Sequence, residues 1–171
     1  MSEYRFDDIR PDDRVLDIGA NVGGFCIRAA RKSGHVTAVE PVTTSLLREN
    51  IRTNRVDVQV IAGALGTGKP AEICWDDCRV LSSTYPLGDL IAMSGGCDFL
   101  KCDCEGAEWS INPRELGNVR RIEMEIHLPP ISGPVNPALL EYISRHYDFV
   151  IDRKPCHDIL GVMGVLHAER K

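Results

Sequence analysis

Two short stretches hold the side chains best suited to acid–base chemistry. One is Lys101-Cys102-Asp103-Cys104-Glu105-Gly106-Ala107-Glu108, and the other is Glu123-Met124-Glu125-Ile126-His127. Each ends an apolar run of strand length, so its polar groups fall at the C-terminal end of a strand. In open α/β sheets ligands bind there. A carboxylate at such a place can hold a hydroxyl or take its proton, and a histidine, with an ordinary pKa of about 6.5, can act as a base. Asp103 is the first candidate for the reacting centre. Glu105 and Glu108 are candidates to hold an acceptor or to stabilise the turn, and His127 is a candidate base. Plainer roles stand beside these. Glu105-Gly106 can cap the next helix, Glu123 and Glu125 can face solvent or a salt bridge, and His127 can be a satisfied strand-end histidine.

A second constellation points to the ligand. Val15-Leu16-Asp17-Ile18-Gly19-Ala20-Asn21-Val22-Gly23-Gly24 reads as a buried strand entering a glycine-rich turn and then a helix. Gly19 and Gly23 permit a sharp turn and a close backbone approach, and the helix directs its first amides over the turn. A dinucleotide fingerprint needs Gly-x-Gly-x-x-Gly, but Asn21 stands at the second glycine. Asp17 would repel a pyrophosphate and suit a cationic or hydroxyl-rich ligand. S-adenosylmethionine carries an ammonium and a sulfonium and no phosphate, so the pattern favours it over NAD. Glu40 ends the second strand, where an acidic residue accepts hydrogen bonds from ribose hydroxyls. No lysine follows the glycines as in a phosphate-binding loop, which argues against ATP hydrolysis of that type.

The elements that must position these groups alternate. Strands are expected at Arg14–Ile18, His35–Val39, Val56–Ala64, Cys97–Cys102 and Val119–His127. Helices are expected at Val22–Lys32, from Thr43 or Thr44 to Asn54, and at Pro137–His146. Glu72–Trp75 suits a short extra strand, perhaps in a hairpin, and Leu87–Met93 a short helix. Ala107–Leu116 suits a short helix interrupted at Pro113. Residues 1–13 read as a polar lead-in. Such alternation predicts a parallel sheet with right-handed crossovers. Tyr147–Asp152 and Val162–His167 have no helix-length segment between them and are expected as an antiparallel pair on one edge.

The totals narrow the function classes. The 171 residues suit a single domain over 1–171. A net charge of −5 disfavours wrapping of bulk nucleic acid. No apolar run approaches membrane-spanning length, and the N-terminus lacks an apolar signal core. The seven cysteines are odd in number and lie in or near apolar runs, which suggests reduced thiols in the cytoplasm. Cys74-x-x-x-Cys78 and Cys102-x-Cys104 lack paired zinc knuckles, so free thiols and no metal are expected. Cys102 and Cys104, two apart on an extended strand end, should point the same way. Trp75-Asp76-Asp77 could bring carboxylates to magnesium but reads as a solvated loop. Asn112-Pro113 starts like a signature of base amino-group methylation, but Arg114 and Glu115 follow it.

Taken together, the chain resembles the FkbM-type family of S-adenosylmethionine-dependent methyltransferases. The resemblance rests on Val15–Gly23, Val39-Glu40-Pro41, Ala64-Leu65-Gly66, Phe99–Glu108 and Glu123–His127. Cysteine stands on both sides of Asp103, where that family has an aliphatic residue. The resemblance implies a class I Rossmann-like α/β fold: a mainly parallel seven-stranded sheet in the order 3-2-1-4-5-7-6, helices on both faces, and one antiparallel edge strand. It implies S-adenosylmethionine across Asp17, Gly19, Asn21, Gly23, Glu40 and Pro41, with adenine near Ala64 and the methyl group facing Asp103. The expected activity is O-methylation of a hydroxyl on a small metabolite or sugar, with a homodimer as one possible assembly. The alternatives are an RNA- or protein-directed methyltransferase and a catalytically silent cofactor-binding subunit.

Overall fold

The structure is a computed structural model that describes residues 4–75, 78–153 and 160–171; of Trp75 it describes the backbone. The expectation for Asp76-Asp77 lies outside the described residues. The central strands are β1 (Arg14–Ile18), β2 (His35–Val39), β3 (Gln59–Ile61), β8 (Phe99–Cys102) and β9 (Arg121–His127), and they run parallel. Between β3 and β8 lie β4 (Ala64–Leu65) paired with β7 (Thr84–Tyr85), and a hairpin of β5 (Ala71–Trp75) and β6 (Cys78–Ser82). The last two strands are β10 (Tyr147–Asp152) and β11 (Val162–Arg170). The seven-stranded order is β10-β11-β9-β8-β1-β2-β3. Counting only its strands, this is 3-2-1-4-5-7-6, as the resemblance implies. The antiparallel strand at that edge is β11, which lies between β9 and β10 and runs against both.

The helices are α1 (Gly24–Ala29), α2 (Thr44–Asn54), α3 (Leu87–Met93) and α4 (Pro137–His146). The structure trims several expected elements. α1 starts later than Val22 because Asn21 and Gly23 adopt left-handed φ of 49° and 97°, which a right-handed helix cannot include. Within the seven-stranded sheet the Val56–Ala64 segment pairs only over Gln59–Ile61, while Ala64 opens β4. Val56, Val58 and Val60 pack on the core, so their alternation records half-burial and not the length of the ladder. Ala107–Leu116 forms two 3-10 turns, Ala107–Ser110 and Pro113–Leu116, the second opened by the Asn112 side chain, which accepts from Arg114 N. That assigns Asn112 a capping role.

The two faces of the sheet differ in chemistry. One is apolar, with Leu16, Ile18, Leu100, Ile122, Met124 and Leu166 fully buried. The other carries a buried row across four neighbouring strands, Asp17–Lys101–Glu123–His167, in direct register. Lys101 Nζ sits 3.2 Å from Asp17 Oδ1 and 3.6 Å from Asp103 Oδ2, and donates to Gly19 O at 2.8 Å. Glu123 is held by Arg121 at 2.9 Å and by His167 Nδ1 at 2.6 Å. Burial opposes the charge on Lys101, but the carboxylates of Asp17 and Asp103 outweigh it and hold the ammonium above the usual lysine range.

The N-terminal segment covers this charged face. Residues 4–13 are therefore more than a polar lead-in: Tyr4, Phe6 and Ile9 are buried. Tyr4 and Phe6 pack against Phe25 of α1, the Arg5 amide donates to Glu123, and Tyr4 OH donates to Asp103 Oδ2 at 2.9 Å.

Two experiments test this account. A Cβ on Gly19 would lie 1.7 Å from the Asp103 carbonyl oxygen, whereas one on Gly24 meets nothing within 4 Å. In thermal melts Gly19→Ala should cost about 4 kcal/mol or more, or prevent folding, while Gly24→Ala should stabilise by ~0.5–1 kcal/mol. Lys101→Met leaves the Asp17 carboxylate buried without its counter-charge and should cost ~3–5 kcal/mol in urea unfolding. Adding Asp17→Asn should recover a large part of that. A Lys101→Met protein as stable as the parent would refute the pairing.

Candidate functional site

The carboxyl ends of β1, β2 and β8 open onto one cleft, at the point where the chain leaves β1 for β2 on one side and reaches β8 on the other. This is the topological switch point of an open α/β sheet. The expected Gly19, Asn21, Glu40, Pro41, Ala64, Asp103 and Glu105 all line the cleft. Ile18, Val39, Val42, Leu65, Ile73 and Ala107 add apolar wall. Asp17, Gly23, Glu108 and His127 are not on its wall.

Glu40 is buried at the end of β2. Its Oε1 accepts from the amides of Val42 and Thr43 at 2.7 and 2.9 Å, and its Oε2 accepts from Asn21 N at 2.9 Å. The carboxylate thus stitches the glycine turn to the start of α2. Among these contacts Oε2 accepts only one hydrogen bond, so it keeps acceptor capacity.

Two expected contacts are corrected. Asp17 is fully buried, its carboxylate directed at Lys101 and not at the cleft. It bears on the ligand corner through Lys101, which holds the Gly19 carbonyl. Gly23 does not line the cleft, and its missing Cβ faces the Leu47 and Ile27 side chains at 2.9 and 3.0 Å, so packing accounts for the glycine there. Gly19 likewise lacks a Cβ because the backbone of Asp103 occupies that space. Close packing of the turn on β8 therefore accounts for the glycine there.

The strand-end groups converge as a second cluster beside the cleft. β9 alternates, so Arg121, Glu123, Glu125 and His127 share the charged face. Glu123 therefore faces the buried row, as set out above, and not solvent. Glu108 is fully buried and fixes His127: its Oε1 accepts from the His127 amide at 2.8 Å and faces Nδ1 at 3.1 Å. The Trp109 indole donates to the His127 carbonyl at 2.7 Å. Glu108 also accepts from the Gly106 amide at 2.9 Å, so it supports the turn and does not reach an acceptor in the cleft. The Nε2 of His127 lies 3.2 Å from Glu125 Oε2 and 3.5 Å from Glu105 Oε2.

Glu105 stands on the cleft wall with its side chain 45% exposed and its backbone at a left-handed φ of 52°. Cys102 and Cys104 do point the same way, with Sγ atoms 3.4 Å apart. Cys74 and Cys78 are exposed on the hairpin.

These environments sort the titratable groups. Burial raises Asp103, but Lys101, together with Glu125 and Tyr4, outweighs it and holds this carboxyl below its ordinary value. Burial raises both Glu105 and Glu125. Burial disfavours the charged form of His127, yet the Glu108, Glu125 and Glu105 carboxylates prevail and push it up to about 10. The same carboxylates favour a proton on the ring, which works against the expected role of His127 as a base.

Sequence patterns alone do not assign Lys101 and Tyr4 to the site. A lone lysine inside Phe99-Leu100-Lys101-Cys102 was the one readable signal for a buried cation. Nothing in the sequence joins Tyr4 to Asp103 across the intervening chain.

Comparison with known proteins places this geometry. No protein-family model matches the chain. Over 65 residues, 37% of this chain, it is 38% identical to a probable ribosomal RNA small subunit methyltransferase A of Methanothermobacter thermautotrophicus, and it spans 23% of that protein's length. Among solved structures, an rRNA methylase from Streptococcus thermophilus superposes with a TM-score of 0.63 at 11% identity, covering 96% of this chain and 90% of that one. Magnesium protoporphyrin IX methyltransferase from Synechocystis, solved with bound S-adenosylmethionine, gives 0.59 at 10% identity, covering 94% and 71%. Identities this low speak to the fold alone. The chain has the Rossmann-like fold seen in S-adenosylmethionine-dependent methyltransferases.

Proposed function

We propose that the protein is an S-adenosylmethionine-dependent methyltransferase acting on a hydroxyl of a small metabolite or sugar. The observation that carries this reading is the cleft's chemistry. Three of its wall residues, Glu40, Asp103 and Glu105, are carboxylates, and none of its described wall residues is lysine, arginine or histidine. Such a wall repels a pyrophosphate and attracts a cation. S-adenosylmethionine fits these residues. Glu40 Oε2 retains acceptor capacity for ribose hydroxyls, the Val39, Pro41, Ala64 and Leu65 side chains offer an apolar surface to adenine, and the opposite carboxylates suit its positive groups. Bound there, it supplies a methyl group on a positively charged sulfur.

The chain's own contribution is position and proton acceptance. Asp103 and Glu105 are the wall carboxylates placed to accept the hydroxyl proton of the second substrate. Glu108 and His127, enclosed behind them, hold the turn that carries both. Tyr4 and Lys101 fix the Asp103 carboxylate.

A second reading, an RNA-directed methyltransferase, is favoured by the names of the curated relative and of the S. thermophilus neighbour. The carboxylate wall and the net charge of −5 weigh against it. The silent cofactor-binding subunit is the third possibility. Among the described residues no helix is long and apolar enough to cross a membrane.

Calorimetry should show one site for S-adenosylmethionine and for its demethylated product. Glu40→Ala should weaken binding about 10–100-fold, the loss of one or two hydrogen bonds to a charged group. Absence of binding to either compound would refute the cofactor reading. With labelled methyl donor, transfer to small hydroxyl acceptors should fall about 100-fold or more in kcat in Asp103→Asn. Transfer to ribosomal or transfer RNA alone would establish the second reading, and binding without any turnover the third.

A further inference from the structure

The cluster behind the cleft has an arrangement that the proton-accepting role of Asp103 and Glu105 does not require. One ligand atom each from Asp103, Glu125 and His127 lies within 4.8 Å of the others. A group of carboxylates alone would mean little. The imidazole changes its meaning. His127 is buried, with its side chain 1% exposed, and its Nε2 makes no hydrogen bond. It points at Glu125 Oε2, 3.2 Å away, and at Glu105 Oε2, 3.5 Å away, without being aligned on either. The two carboxylates face the ring nitrogen, but neither gives it an aligned hydrogen bond.

We propose that Asp103, Glu125 and His127 hold a first-row divalent cation, with Glu105 as a fourth ligand, the ion taking the place of the Nε2 proton of His127, which is released to solvent. Ligands about 2.1 Å from a metal stand about 3.0 Å apart at neighbouring octahedral corners and about 3.4 Å apart in a tetrahedron. The distances of 3.2 and 3.5 Å from Nε2 to the two glutamates match those edges. The donor set is one imidazole and up to three carboxylates. It suits manganese, iron or zinc better than calcium or magnesium, which prefer oxygen alone. Glu108 completes the design from outside. Its carboxylate takes the Nδ1 side of the ring at 3.1 Å and so directs Nε2 inward, the usual support for a metal-bound histidine. Cysteine spacing in the sequence leads to no metal, because these ligands come from two strands and meet only in the fold.

The ion would lie against the cleft, since Asp103 and Glu105 also form its wall. There it could polarise an acceptor oxygen. That use rests on the methyl-transfer reading, whereas binding of the ion does not.

Mn2+ tests the site, because thiolates compete poorly for it. Chelator-stripped full-length protein should remove one Mn2+ per chain from the free-ion electron paramagnetic resonance signal. Glu125→Gln and His127→Gln should each weaken binding at least tenfold, and Glu108→Gln about 10–100-fold. Cys74→Ser with Cys78→Ser should leave it unchanged. If His127→Gln fails to fold, Glu125→Gln, whose side chain is partly exposed, decides the matter. No bound Mn2+ at millimolar ion, or equal binding in Glu125→Gln and the parent, would overturn the proposal. S-adenosylmethionine titrated into the same stripped protein separates the two readings. Cofactor binding without Mn2+ binding removes only the metal site, and the reverse removes only the cofactor.

Discussion

The buried ammonium of Lys101 is the point on which the rest of the structure depends. It lies between two carboxylates, Asp17 at the end of β1 and Asp103 on the cleft wall. Its hydrogen bond to the Gly19 carbonyl ties the glycine turn to the end of β8. Without that charge, Asp17 would be an unpaired anion in the core and Asp103 would lose its nearest counter-charge. The geometry of the cleft thus follows from an electrostatic arrangement that is not itself in the cleft. The same face continues through Glu123 to Arg121 and His167, so a sheet that could have been apolar on both sides carries a charged layer, sealed by Tyr4, Phe6 and Ile9.

Two polar systems meet at Asp103. One is the cleft, where Glu40 uses its carboxylate to hold backbone amides together and still presents an acceptor. The other is the enclosed group around His127, whose ring is set by Glu108 and whose backbone carbonyl is set by Trp109. A rigid second layer of this kind keeps wall carboxylates in place while the wall itself stays open to a substrate. The left-handed backbone at Glu105, followed by Gly106 at φ 99°, aims Glu105 at the cleft while Glu108 turns inward. Neighbouring carboxylates a few residues apart thereby take opposite roles.

Much of the architecture is legible in the sequence. Period-two and period-3.6 patterns locate the five parallel strands, α2, α3 and α4, and the closing antiparallel pair, because burial of one face imposes those periods on the chain. Glycines at 19 and 23 mark the corner, and Glu40 at the end of the second strand marks its other side. Element ends are less legible. The Val56–Ala64 pattern overruns its ladder, since half-burial extends beyond the hydrogen-bonded segment, and the α1 pattern overruns its helix, since Asn21 and Gly23 take left-handed backbone. The purpose of each glycine is also hidden. At position 19 the side chain is missing because another part of the backbone passes through its place.

The sequence by itself determined the α/β class, the corner, and the identity of Glu40, Asp103 and Glu105 as cleft residues, since each lies at a strand end whose direction local pattern dictates. Only the tertiary structure decided that Asp17 serves Lys101, that Glu108 serves His127, and that Tyr4 reaches Asp103. It also decided that Glu125, His127 and Asp103 come together. The reason is physical: these relations join residues far apart in the chain, on strands and on the segments that lead into and out of them, and sheet register and packing, not spacing along the chain, set which charged groups share a buried space.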